Sequence, residues 1–195
     1  MPSVLKKSRA MNHILIRGRR RSGRSALICS LLRDVTVPVF GYKTVTMGTR
    51  PDGYHEIYLY PYGLQNPQKQ EANHVADCNT KDRIIHPEVF NTLGVQLLQE
   101  PVKGILVMDE IGFMESSAET FCQAILERLD GDIPVLAAVR SGIDTPFLRM
   151  VTQHKNAICL EMDPANFEEY ECRLRPIIQA WNERFMESNG HAEAY

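Results

Sequence analysis

Short apolar runs alternate along the chain with longer stretches in which apolar residues recur every three or four positions. The continuous runs predict buried strands of a parallel sheet; they are NHILIR (12–17), GILVMDEIG (104–112), DIPVLAAVR (132–140) and NAICLEM (156–162). The stretches with helical spacing predict helices that pack on this sheet; they are RSALICSLLRD (24–34), SSAETFCQAILERLDG (116–131), TPFLRMVTQHK (145–155) and a C-terminal helix over 165–195. Strands alternating with helices predict an α/β fold with a mainly parallel sheet.

A β-hairpin is predicted to extend this sheet over residues 41–60. VTVPVFGYKTVTMG (35–48) is rich in β-branched residues, and HEIYLY (55–60) has the composition of a returning strand. Arg-Pro-Asp-Gly (50–53) between them is a strong turn signal. We therefore expect a mixed sheet.

The polar segment 63–82 interrupts these patterns. It is predicted to be a surface excursion, with a short strand near His74–Ala76 as its one regular element. Helical spacing returns in residues 86–102. Because Pro101 cannot continue a helix, this helix is expected to end at about Gln99.

Composition narrows the class of protein. A chain of 195 residues, 44% hydrophobic and 24% charged, fits one domain over 1–195, with a ragged N-terminus at 1–11. The net charge of −2 does not favour DNA binding, and no apolar run reaches the ~18 residues of a membrane span. Five scattered cysteines are typical of reduced thiols in a cytoplasmic protein, and the six histidines show no metal-ligand spacing.

The stretch GRRRSGRS (18–25) has the outline of a phosphate-binding loop, or Walker A motif, between a predicted strand and a predicted helix. Such a loop points backbone N–H groups at an anion, and the N-terminus of the following helix adds partial positive charge. Arg24 stands where the motif has lysine; Ser25 is placed to bind Mg²⁺. The predicted nucleotide-binding residues are Gly18, Arg19, Arg20, Arg21, Ser22, Gly23, Arg24, Ser25 and Ala26.

Two acidic residues end the predicted strand LVMDEIG. This is the usual partner of a phosphate loop, because Asp109 would hold the magnesium ion with Ser25 and Glu110 would activate an attacking water. Arg140 ends another predicted strand at the same edge of the sheet and is a candidate for contact with the γ-phosphate. Taken singly, each motif also fits a simpler structural role: a basic turn, an acidic strand end, a surface arginine. Their joint presence favours a nucleotide site, with Glu110, Arg24 and Arg140 as the candidate catalytic residues.

The block DEIGFMESSAETF (109–121) resembles the signature of the THEP-type P-loop nucleoside-triphosphatase family. The matching residues are Asp109, Glu110, Ile111, Gly112, Met114, Glu115, Ser117 and Phe121. GYKT (41–44) and GYHEI (53–57) resemble two further stretches of that family. The resemblance implies a three-layer α/β/α P-loop domain of the RecA-like kind and a slow, Mg²⁺-dependent hydrolysis of ATP, GTP and other nucleoside triphosphates. It also implies that Glu115 supports the loop after Asp109.

The chain departs from the family pattern at the phosphate loop, where Arg24 replaces lysine and Ala26 replaces a second hydroxyl residue. Val45, Thr46 and Met47 stand where the family has Glu-Val-Arg. Because the loop lysine usually contributes to phosphoryl transfer, nucleotide binding follows more directly than turnover. The alternatives to a nucleoside-triphosphatase are therefore a non-hydrolysing nucleotide-binding module and a nucleotide or small-molecule kinase. The sequence identifies no protein or RNA partner.

Overall fold

One eight-stranded sheet forms the centre of the molecule. The computed structural model describes residues 13–99 and 103–190, so the predicted ragged N-terminus lies outside the described residues. The strands are β1 (His13–Gly18), β2 (Val39–Thr49), β3 (His55–Pro61), β4 (His74–Cys78), β5 (Arg83–Ile85), β6 (Ile105–Ile111), β7 (Val135–Arg140) and β8 (Ala157–Glu161). Their order across the sheet is β5-β4-β3-β2-β6-β7-β1-β8.

Helices cover both faces of the sheet. They are α1 (Arg24–Leu31), α2 (Pro87–Val89), α3 (Val95–Gln99), α4 (Glu119–Asp130), α5 (Pro146–Thr152) and α6 (Phe167–Gly190). A π-helical turn, Phe90–Gly94, joins α2 to α3, so the helix predicted to end at about Gln99 is present with a widened middle turn. None of the helices in the described ranges has the length and apolar character that crossing a membrane requires.

The five strands β2, β6, β7, β1 and β8 pair in parallel and form the parallel part of the sheet. Their side chains alternate between two cores, as expected for strands buried on both faces. In β1, Ile14 and Ile16 contact the core beneath α1 and α6, whereas Leu15 joins the core beneath α3, α4 and α5. The α/β/α layering and the mainly parallel sheet predicted from the sequence are confirmed.

An antiparallel extension of β3, β4 and β5 continues the sheet beyond β2. The β2–β3 hairpin turns where predicted, with Gly53 N donating to Arg50 O at 2.9 Å. Residues 63–82 differ in part from the predicted surface excursion, because β4 lies inside the sheet between β3 and β5 and buries Val75 and Ala76 completely. The strand near His74–Ala76 is present and two residues longer than predicted.

Helix α5 begins with a side-chain cap. Thr145 Oγ1 accepts a hydrogen bond from Leu148 N at 3.1 Å and lies 3.1 Å from Ser116 Oγ, in the loop that follows β6. We expect Thr145→Ala to lower the free energy of unfolding by about 1 kcal/mol, because one helix N–H loses its partner. Thermal unfolding should show a Tm lower by about 2–4 °C. Thr145→Ser keeps the hydroxyl and serves as the control; equal losses in the two variants would contradict a capping role.

Candidate functional site

The loop from Gly18 to Gly23 connects β1 directly to α1. Gly23 is the N-cap of α1 and has a φ of 96°, which favours glycine. A Cβ on Gly18 would lie 2.5 Å from Ser22 Oγ and 2.9 Å from the Met162 carbonyl oxygen. Backbone conformation at Gly23 and steric crowding at Gly18 therefore explain why glycine occupies these two positions. The loop leads into the N-terminus of α1, and the first N–H groups of a helix, which have no partner within the helix, can bind an anion.

Ser25 and Asp109 meet at this loop although they are far apart in sequence. Ser25 Oγ donates a hydrogen bond to Asp109 Oδ1 at 2.7 Å. Burial raises the pKa of Asp109, which is 4% exposed, while the Ser25 hydrogen bond and the nearby Lys43 lower it. Lys43 Nζ lies 3.9 Å from Asp109 Oδ2 because β2 and β6 pair in register at these two residues.

Glu110 lies between two arginines. Arg24 NH2 is 2.7 Å from Glu110 Oε2, and Arg140 NH1 donates to Glu110 Oε1 at 2.9 Å. Arg24 is only 6% exposed, and its other terminal nitrogen, NH1, has no hydrogen-bond partner among the described residues. A buried guanidinium nitrogen without an acceptor is well suited to bind an anionic oxygen.

Glu115 anchors the loop that follows the two acidic residues. It is fully buried and accepts a hydrogen bond from Gly112 N at 2.8 Å, while its Oε1 has no partner within the described ranges. Burial raises the pKa of Glu115 to about 7, and the backbone hydrogen bonds only partly offset this shift. The contact agrees with a supporting role for Glu115.

The raised pKa of Glu115 predicts a pH dependence of stability. The folded state holds the proton more tightly than the unfolded chain, where the pKa is near its ordinary 4.5. The free energy of unfolding therefore falls as pH rises from about 4.5 to about 7.

Glu115→Gln, which keeps an acceptor for Gly112 N, should become more stable relative to the natural protein by about 2–3 kcal/mol between pH 5 and pH 8. Urea denaturation at both pH values measures this difference. In the control, the exposed Glu119→Gln, no such trend is expected; a pH-independent difference for Glu115→Gln would contradict the prediction.

A cavity of about 550 Å³ opens above these groups. Seven of the predicted site residues line it: Arg20, Arg21, Arg24, Ser25, Asp109, Glu110 and Arg140. The remaining predicted residues lie elsewhere in the loop and in α1: Gly18 and Ser22 are buried, Gly23 is half-buried, and Arg19 and Ala26 are exposed. The structure thus brings the candidate catalytic residues and the candidate metal ligands to one cleft.

The β2–β3 hairpin and the β4–β5 segment supply cleft residues that were not among the predicted site residues. They are Thr44, Thr46, His55 and Ile57 of the β2–β3 hairpin, and Cys78, Asn79, Thr80 and Arg83 of the β4–β5 connection. The guanidinium carbon of Arg83 lies over the ring of Phe113, 4.4 Å from the ring centroid. Phe113 belongs to the loop that follows β6. The one sequence signal for this wall is the alternation of Thr44 and Thr46, which places two hydroxyl groups on the same side of β2.

Comparisons with known proteins agree with this architecture. The model of a family described as NTPase matches residues 13–174. The fold is similar to the crystal structure of THEP1 from the hyperthermophile Aquifex aeolicus, with a TM-score of 0.64 and 16% identity over 85% of this chain and 98% of that one. It is also similar to the solution structure of a human cancer-related nucleoside triphosphatase, with a TM-score of 0.59 and 19% identity over 87% of this chain and 98% of that one. No curated protein matches the sequence.

Proposed function

Because this chain belongs to the NTPase family, we propose that it binds a nucleoside triphosphate in the cleft above Ser25 and Asp109 and hydrolyses it to the diphosphate and phosphate. The observation that carries the proposal is the 2.7 Å contact between Ser25 Oγ and Asp109 Oδ1, beside a glutamate held by two arginines. Two motifs 84 residues apart in the chain form one site with the groups that phosphoryl transfer requires.

The triphosphate is expected to bind at the loop between β1 and α1. Arg24 and Ser25, at the start of α1, line the cleft, and the N–H groups of a helix N-terminus favour an anion. Arg20, Arg21 and Arg24 add positive charge along the cleft. Arg24 NH1, which is buried without a partner among the described residues, would donate to a phosphate oxygen. The arginine thus replaces the charge of the usual lysine, in a planar and longer form.

Mg²⁺ fits beside Ser25 and Asp109. Ser25 Oγ and Asp109 Oδ1, which are 2.7 Å apart, are the hydroxyl and carboxylate oxygens that would hold the ion. The ligand set of one hydroxyl and one carboxylate is hard and leaves room for phosphate oxygens and water. When bound, Mg²⁺ would neutralise part of the phosphate charge.

Glu110 is proposed to orient and deprotonate the attacking water. Each of its oxygens has one arginine partner in the structure and keeps a second acceptor position. A phosphate that draws Arg24 or Arg140 away would free more of the carboxylate for water. Both arginines are then placed to stabilise negative charge on the phosphoryl group in transfer. In this mechanism substrate binding releases the base.

Phosphate release from Mg·ATP and Mg·GTP by the purified chain tests the proposal. We expect slow multiple turnover that stops when EDTA is added, because Ser25 and Asp109 would then lose their ion. No acceptor other than water is present in this assay, so turnover also separates hydrolysis from a kinase activity. Nucleotide binding without turnover would overturn the hydrolase proposal and leave the binding site in place.

A non-hydrolysing nucleotide-binding module is the second candidate. The observation that favours it is the double pairing of Glu110, since an arginine on each oxygen restricts the positions from which the carboxylate can accept a proton from water. This candidate predicts that Mg·ATP or Mg·GTP raises the Tm, by more for the nucleotide that binds more tightly, while phosphate release stays at background. Multiple turnover excludes it.

A further inference from the structure

A second group of metal-binding side chains lies in the antiparallel extension, outside the nucleotide cleft. His74 and Asp77 belong to β4, and His86 is the N-cap residue of α2, directly after β5. The backbone brings them together, because His86 N donates to Val75 O at 2.9 Å as β5 leaves β4. One ligand atom from each of the three side chains lies within 4.8 Å of the others.

Two of these ligand atoms are buried and unsatisfied. His74 Nε2 and Asp77 Oδ1 lie 3.2 Å apart and form an ion pair when His74 is protonated, yet neither atom makes a well-aligned hydrogen bond within the described residues. Asp77 as a whole is only 5% exposed. Buried polar atoms without partners are costly, so such a pair needs an explanation. A cation bound between the two atoms would satisfy both.

The surroundings hold these side chains in place. The ring of Tyr58 stacks on His74 with centroids 4.7 Å apart, and the rings of His74 and His86 are 5.0 Å apart. Arg50 NH1 lies 3.4 Å from Asp77 Oδ2, so the second oxygen of the carboxylate has its own partner and Oδ1 remains for a ligand. Outer partners of this kind orient the ligands of metal sites.

We propose that His74, Asp77 and His86 form a Zn²⁺ site. Two imidazole nitrogens and one carboxylate oxygen suit zinc and are a poor set for Mg²⁺, which prefers oxygen ligands. Ligands about 2.1 Å from zinc at a tetrahedral angle are about 3.4 Å apart, close to the 3.2 Å between His74 Nε2 and Asp77 Oδ1. Three protein ligands leave the fourth position for water.

The site has a structural role in this proposal. The bound ion would link β4 to His86, the N-cap residue of α2. Asn79 and Thr80, in the connection between β4 and β5, line the nucleotide cleft. The zinc site rests on ligands that the nucleotide site does not share, so it is independent of the proposed hydrolase activity.

Titration of the full metal-free chain with Zn²⁺, followed by calorimetry, tests the site. We expect one zinc ion per chain and a higher Tm with zinc. Co²⁺ used in place of zinc should give the visible absorption of a four-coordinate ion without a thiolate charge-transfer band, because no cysteine is among the three ligands. His86→Gln and Asp77→Asn should each weaken zinc binding by more than about 100-fold, since removal of an outer partner alone costs about 10–100-fold.

The controls separate this site from others. His154→Gln changes a histidine outside the cluster, and we expect natural zinc affinity in that variant. Asp109→Asn changes the candidate magnesium site and should also leave zinc binding unchanged. The proposal is overturned if the natural chain binds neither Zn²⁺ nor Co²⁺, if His86→Gln and Asp77→Asn bind as tightly as His154→Gln, or if binding is lost in Asp109→Asn.

Discussion

Glu110→Gln is expected to lower phosphate release from Mg·ATP by about 10²–10⁴-fold and to leave nucleotide binding intact. Glutamine keeps the size of the side chain but cannot take a proton from water, and general-base catalysis typically contributes a factor of this size. Binding should be equal or tighter, because Arg24 and Arg140 lose a competing negative charge. Single-turnover phosphate release measures the first effect, and the nucleotide-dependent rise in Tm measures the second.

A matched control for this variant is Glu127→Gln, which changes an exposed glutamate on α4, far from the cleft residues. It should release phosphate at the natural rate. Natural activity in Glu110→Gln would show that another group activates the water. Loss of binding together with loss of release would indicate that Glu110 shapes the site and does not act as the base.

Arg24→Ala is expected to lower kcat/KM for Mg·ATP by at least about 1000-fold, which corresponds to about 4 kcal/mol of transition-state stabilisation. The variant removes a buried positive charge from the first turn of α1, where it reaches Glu110 and has a nitrogen directed to no partner among the described residues. Steady-state phosphate release gives the ratio. Circular dichroism and Tm should be recorded beside it, because removing one member of a buried ion pair can also destabilise the fold.

Arg24→Lys tests whether charge at this position is sufficient. We expect it to keep more than a tenth of the natural kcat/KM, since lysine is the residue that such loops normally carry. If Arg24→Ala is as active as the natural protein, the guanidinium has no part in phosphoryl transfer. If Arg24→Lys is much faster than the natural protein, the arginine serves binding better than catalysis.

The parallel part of the fold could be predicted from the sequence because its signals are local. The apolar runs that became β1, β6 and β7 are buried on both faces, so their composition is unambiguous. The residues of the turn at Arg50–Gly53 themselves favour a turn. In the phosphate loop, steric crowding at Gly18 and a positive φ at Gly23 both favour glycine. The proximity of Ser25, Asp109 and Glu110 could be predicted because their motifs follow or end predicted parallel strands, whose carboxyl ends meet at one edge of the sheet.

Only part of the antiparallel extension could be predicted: the β2–β3 hairpin and the strand near His74–Ala76 have local signals, whereas β5 and the pairing of β4 do not. β4 is a five-residue strand in a polar segment, and it is held by pairing with β3 and β5, which no local pattern specifies. The ion pair of Lys43 with Asp109 depends on the register between β2 and β6. His74 and His86 are twelve residues apart in sequence and approach each other only because β4 and β5 pair.

The direction of the Arg24 side chain also could not be predicted from the sequence. The motif places a cation at this position and says nothing of its partner when no phosphate is bound. A flexible arginine in a buried site needs a counter-charge, and the Glu110 carboxylate is the nearest one that the fold supplies. The pairing therefore follows from burial, which becomes known only with the tertiary structure.

The two arginines that hold Glu110 also bear on the choice among anions. The Glu110 carboxylate competes with an incoming anion for the two guanidinium groups. An anion that needs the nitrogens paired with Glu110, and not Arg24 NH1 alone, binds only in the fraction of molecules in which an arginine has turned away. If that fraction is about 1%, the apparent Kd is weakened about 100-fold. A triphosphate has several charged groups along the cleft, and its other contacts offset this loss of affinity. A single orthophosphate ion makes fewer contacts and offsets less of it. After hydrolysis the Glu110 carboxylate can pair with both arginines again. We therefore expect weak product inhibition by phosphate and rapid dissociation of the phosphate ion.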